Sequence, residues 1–197
     1  MTYPSFNPGD VLANTDMNQV GLWKVVPASA VNGTITATGT VNITAGVSSV
    51  SVNNAFTSDY NHYRIIFTLF GSQAGAFANF RLRASGTDNS SANYYRYGFT
   101  TAFNVGTISA YNAAATTSFT TVGQWGGGLI STCVMDINEP LTANRTNWIA
   151  NTNDTGGGAS YVQNGLVDVT TAYDGFTVFP SGGTLSAGNI KIYAYKS

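Results

Sequence analysis

Val31-Asn32-Gly33-Thr34-Ile35-Thr36-Ala37-Thr38-Gly39-Thr40-Val41-Asn42-Ile43-Thr44 is the stretch whose reading decides the fold. Val31, Ile35, Ala37, Val41 and Ile43 fall on one face, and Thr34, Thr36, Thr38, Thr40, Asn42 and Thr44 on the other. Side chains of a strand point alternately to opposite faces, so a period of two predicts strand. Gly33 and Gly39 interrupt the pattern. They leave two possibilities, a hairpin or one long kinked strand.

The same period recurs downstream. Tyr63, Ile65, Phe67 and Leu69 alternate with His62, Arg64, Ile66, Thr68 and Phe70. Apolar residues on both faces predict a central strand. Phe80, Leu82 and Ala84 alternate with Asn79, Arg81, Arg83 and Ser85, a half-buried strand with one wet face. Cys133, Met135 and Ile137 share a face, Trp148 and Ile149 belong to another strand with Trp148 in the core, and Phe176, Val178 and Phe179 to another. Ile190, Ile192 and Ala194 alternate with Lys191, Tyr193 and Tyr195. Turn residues separate these runs, including Asp59, Asp88, Asp154 and Asp174. Short strands at this spacing predict an all-β, jelly-roll-like antiparallel sandwich.

Composition agrees. Only 9% of the 197 residues are charged, against roughly a quarter in ordinary domains. Glu139 is the sole glutamate, and Lys24, Lys191 and Lys196 are the only lysines. Helix surfaces are built from such long polar chains, whereas Thr, Val, Ile, Tyr and Phe suit sheet. A formal charge of −1 gives no field to hold nucleic acid or an anionic membrane. No apolar run reaches membrane-spanning length. The start lacks the features of a secretory signal, and Cys133 stands alone, so synthesis in a reducing cytoplasm is expected.

Residues 1–30 read as a separate N-terminal segment and 31–197 as the sandwich domain. Thr15 and Asp16 offer caps to a short turn over Met17-Asn18-Gln19-Val20, with Leu12, Met17 and Val20 on one side. Leu22, Trp23, Val25 and Val26 follow. A helix this short is unstable alone, so the apolar residues either fold back on their own domain or anchor in another subunit.

Groups for chemistry are scarce. His62 is the only histidine and has no second histidine for zinc. Asp136 and Glu139 flank a strand end and could bracket a glycosidic bond, or with Asn138 take a calcium ion. Strand-end acids more often cap a turn, and no metal or other cofactor is expected. Aromatic residues are the positive signal. Tyr94, Tyr95, Tyr97 and Trp125 are candidates for glycan stacking, for an oligomer or virion interface, or for packing.

Three stretches are read together. The first runs from Phe6-Asn7-Pro8-Gly9-Asp10-Val11-Leu12 through Thr15-Asp16-Met17-Asn18 to Val20-Gly21-Leu22. The second joins Val50-Ser51-Val52, Ala55-Phe56, Asp59-Tyr60 and Tyr63-Arg64-Ile65. The third is Tyr173-Asp174-Gly175-Phe176-Thr177-Val178, Gly182-Gly183 and Ile190 to Tyr195. Together these stretches resemble the small virion proteins of tailed bacteriophages, which implies a non-enzymatic virion component, usually a homotrimer, with an attachment segment followed by a β-sandwich head. Phe6, Leu12, Met17, Val20, Leu22 and Trp23 are then the attachment residues, contacting other virion proteins of tail or capsid. Two roles are expected: a tail-fibre or receptor-binding subunit that meets a host surface glycan, or a capsid decoration protein.

Overall fold

The computed structural model describes residues 21–125, 130–154 and 158–196. Among them sixteen strands and no helix follow one another. They begin with β1 (Leu22–Lys24), β2 (Ser29–Val31), β3 (Gly33–Ile35), β4 (Val41–Ile43), β5 (Val50–Asn53) and β6 (Tyr60–Gly71). Next come β7 (Ala76–Ala84), β8 (Thr87–Asp88), β9 (Tyr94–Ala102), β10 (Ile108–Thr116) and β11 (Phe119–Trp125). The chain continues with β12 (Ile130–Asn138), β13 (Asn147–Asp154), β14 (Ala159–Val167), β15 (Gly175–Pro180) and β16 (Leu185–Lys196).

The ten-stranded sheet runs β10-β9-β14-β13-β12-β6-β16-β4-β3, with β1 added to β16. The six-stranded sheet runs β11-β7-β15-β5-β2, with β8 added to β7. Their pairings are antiparallel throughout. The chain passes repeatedly between the sheets, from β5 to β6 to β7, from β10 to β11 to β12, and from β14 to β15 to β16. That winding makes the all-β sandwich jelly-roll-like. As its two apolar faces require, β6 is central, between β12 and β16.

The core lies between the sheets. Tyr63, Ile65, Phe67 and Leu69 of the large sheet are sealed from solvent, as are Phe80, Leu82, Phe176 and Val178 of the small one. Phe80 stacks on Phe176 at 5.1 Å and on Phe119 at 5.8 Å, and meets Phe67 edge-on at 6.0 Å. Phe119 in turn meets Trp148 at 4.5 Å and Tyr94 at 4.7 Å. Trp148 is core, as its sequence context suggests.

Several local expectations resolve or change. Residues 33–43 form the hairpin, closed by Thr36 N–H to Thr40 O at 2.9 Å and Gly39 N–H to Thr36 O at 2.9 Å. Gly39 has φ +76°, and a Cβ there would lie 2.6 Å from the Val25 carbonyl, so only glycine fits. Val31 leaves the face assigned to it: it belongs to β2 in the small sheet and is exposed. The left-handed turn at Asn32 (φ +60°) carries the chain across to the other sheet before β3 begins. Asp154 is not a turn residue but the buried end of β13. The strand's phase, which sends Trp148, Ala150 and Thr152 inward, sends Asp154 inward with them.

The Arg81–Arg83 face is not simply wetted. Arg83 donates to Asn53 (3.1 Å), Ser51 (3.0 Å) and Thr177 (2.8 Å), and pairs with Asp88. Arg81 donates to the Thr117 carbonyl at 2.9 Å and covers the Phe179 ring at 4.5 Å. Adjacent strands supply acceptors that one strand's sequence does not reveal.

Within the N-terminal segment, residues 22–31 are stitched into the sandwich. Leu22–Lys24 pairs with Tyr193–Tyr195, Ser29–Val31 pairs with β5, and Val25 is core. This part folds back on its own domain, because its apolar side chains find sheet to cover. Phe6, Leu12, Met17, Val20 and the turn expected at 17–20 lie outside the described residues.

A candidate binding face on the large sheet

The Tyr94–Phe99 run is divided by the pleat of β9. Tyr94 points inward and is fully buried; its hydroxyl donates to Asn89 O at 2.7 Å and accepts from Leu82 N–H at 3.2 Å. Burial pushes its phenol well above the ordinary tyrosine value. Tyr94 is therefore a core residue and drops out of the contact candidates. Tyr95 and Tyr97 point outward, and Phe99, which sequence reasoning passed over, continues their row. The signal was available as a period of two from Tyr95. Trp125 ends β11, and its side chain lies outside the described residues.

Strand register supplies the neighbours. Tyr97 stands between Asn112 of β10 and Asn164 of β14. Phe99 is opposite Val162, Val162 opposite Asn151, and Asn164 opposite Ile149. Tyr97, Phe99, Ile149 and Val162 are 50%, 43%, 53% and 53% exposed. The Tyr97 and Phe99 rings meet edge-to-face at 5.5 Å. Between β10, β9 and β14 the surface dips into a groove of about 320 Å³, walled by Tyr95, Tyr97, Asn112, Asn164 and Leu166 and lined also by Arg96.

Charge is scarce around this face. Residues 97–135 contain no Asp, Glu, Lys, Arg or His. Arg96 points to the other side of β9, where it donates to the Thr120 carbonyl at 2.9 Å. Asp136, opposite Ile149, is clasped by Arg64 through two 2.7 Å bonds. That pairing takes up the carboxylate weighed above for catalysis or calcium. Glu139 occupies the turn after β12, where its carbonyl accepts from Thr142 Oγ1 at 2.8 Å. Asn138 Oδ1 accepts from His62 Nδ1–H at 2.9 Å, and its Nδ2 donates to Asn147 at 2.6 Å.

Two further regions frame the face. Beyond it, among the described residues β10 pairs only with β9, so one uncharged edge has no partner strand there, next to the exposed hairpin residues Phe103, Val105 and Ile108. At the opposite end, Leu22 is exposed beside Tyr195, whereas Trp23 sits opposite buried Ala194 and is half-buried. Lys24 Nζ stands 4.7 Å over the Tyr193 ring. Burial, then repulsion from Lys191, holds its ammonium below the ordinary lysine value.

No family model and no curated protein matches this chain. Among solved structures, Lotus tetragonolobus seed lectin (Isoform) is similar, with a TM-score of 0.39 and 6% identity over 90% of this chain and all of that one. That likeness is too distant to carry a functional argument. The class defined by the strand pairings themselves is an all-β, two-sheet antiparallel sandwich.

Proposed function

We propose that this chain is a non-enzymatic structural protein of a tailed-bacteriophage virion, acting as a trimeric tail-fibre or receptor-binding subunit. The observation that carries the reading is the outer face of β9, β14 and β13, where Tyr95, Tyr97, Phe99, Ile149 and Val162 are held in solvent. A row of large apolar side chains on a rigid sheet suits contact with another molecule. The resemblance of the three sequence stretches to small phage virion proteins supports its placement on the particle. The uncharged edge of β10, which has no partner strand among the described residues, supports subunit contacts, since an unprotected edge is prone to pair. Engagement of Asp136 by Arg64 supports a binding rather than an acid–base role. Exposed Leu22, on the side where residues 1–20 join, supports attachment there.

A second reading, capsid decoration or head fibre, is favoured by the charge-poor surface, which suits packing beside like neighbours in a lattice. Immunogold labelling of purified virions with antibody to the folded chain tests both. Gold at the tail is expected. Gold spread over the head selects decoration, and unlabelled virions overturn the placement. Light scattering of the purified protein is expected to give the mass of three protomers.

A further inference from the structure

We propose that the groove over Tyr97 is a subsite for one neutral pyranose ring, stacked on Tyr97 and hydrogen-bonded by the amides of Asn112 and Asn164. The inference rests on the receptor-binding reading and gives it a site and a ligand class. Strand spacing puts the row Asn112–Tyr97–Asn164 within about 10 Å, with the aromatic ring between the two amides. A sugar ring has apolar C–H faces and an equatorial belt of hydroxyls. The phenol offers an apolar face to the first, and each amide offers donors and an acceptor to the second. Both asparagines are exposed, and among the described residues neither side chain has a hydrogen-bond partner. By contrast, Asn138 and Asn89 are already bonded to their neighbours.

The volume, about 320 Å³, lies at the small end of ligand pockets, which fits a short saccharide. Charge decides the sugar class. Arg96 lines the groove but donates to the Thr120 carbonyl, and Asp136 is paired with Arg64, so both nearby charges are already engaged and neither is offered to a carboxylated sugar. A shallow site of this kind binds weakly, and repeated copies on one particle raise the effective affinity by avidity. The other depression, about 290 Å³ beside Asp88 and Tyr173, is less suited. Asp88 is held there by Arg83, and the Tyr173 hydroxyl accepts from Asn89 at 2.6 Å.

Saturation-transfer NMR on the full chain tests the site. The probes are the methyl α-glycosides of glucose, galactose and mannose, with N-acetylglucosamine, and N-acetylneuraminic acid as the charged comparison. Transfer to ring C–H protons of at least one neutral sugar is expected. Tyr97→Ala should weaken binding about tenfold or more, whereas Tyr97→Phe should retain it. Asn112→Ala and Asn164→Ala should each cost about fivefold, the loss of one net hydrogen bond. All three positions are on the outer face, so circular dichroism should be unchanged. Failure of every neutral sugar to give transfer, transfer that survives Tyr97→Ala, or preference for the charged sugar overturns the proposal. The two readings fail separately. Labelled virions without sugar binding remove the subsite alone, and Tyr97-dependent sugar binding with unlabelled virions removes the virion placement alone.

Discussion

Phe119→Ala is the substitution that most directly tests how the candidate face is held. Phe119 is 1% exposed and is the ring of the small sheet that meets Trp148 and Tyr94 at 4.5 and 4.7 Å while stacking on Phe80 at 5.8 Å. Through it the core backs the β13–β14–β9 part of the large sheet. Truncating a buried phenylalanine costs about 3–5 kcal/mol, including about 0.5–1.5 kcal/mol for each aromatic pairing lost. Native stability is about 5–15 kcal/mol, so the variant should fold but lose a large part of its margin. In urea denaturation followed by tryptophan fluorescence, the midpoint should fall with an unchanged slope. Phe119→Leu should fall in between, and Phe103→Ala, at a position 60% exposed, should stay within about 0.5 kcal/mol of the native chain. A Phe119→Ala cost below about 1 kcal/mol, or an equal cost at Phe103, would refute the reasoning.

Cys133 is fully buried, and burial pushes its thiol up to about 12. Because the folded state favours the protonated thiol, its contribution is complete below the ordinary thiol value and declines as pH rises from there towards 12, by about 1.4 kcal/mol per pH unit. Urea midpoints measured from pH 8 to 11 should fall, and Cys133→Ala should make that fall shallower. A thiol reagent should label the native chain only as it unfolds. Arg83→Met should cost about 2–3 kcal/mol, because it leaves the Asp88 carboxylate without its cation, held by the Thr177 hydroxyl, and removes donors to Ser51, Asn53 and Thr177. Arg145→Met should cost less than about 0.5 kcal/mol, because the Arg145–Asp168 pair is exposed; equal midpoints for the two variants would contradict the network. Gly165→Ala would put a Cβ 2.2 Å from the Tyr95 carbonyl and 2.7 Å from Trp148 Cζ2. It should lower the urea midpoint and shift Trp148 emission, and a native-like spectrum and midpoint would show that the contact yields freely.

Much of the fold is legible in the chain because periodicity is a local property. Alternation at Tyr63–Leu69 and Ile190–Ala194 marks strands whatever their partners, and both runs are buried as their pattern demands. The shortage of Glu and Lys argues against helix for the same local reason. Asp154 and Val31 show the limit. Residue type alone makes Asp154 a turn residue and the alternation downstream assigns Val31 its face, yet each is placed by the strand or turn that carries it.

The candidate site lies further beyond that limit. Tyr94 and Tyr95 are adjacent and chemically alike, so nothing local says which faces inward. Packing chooses, because Phe119, itself packed on Trp148, receives Tyr94 on the inner side. The same choice sends Tyr95, Tyr97 and Phe99 to solvent. Asn112 and Asn164 flank Tyr97 only because β10 and β14 pair with β9 in one register. By itself the sequence determined where the chain is extended and which residues alternate. Only the tertiary structure decided the phase of each strand and the neighbours across it, since both arise from pairings between segments distant along the chain.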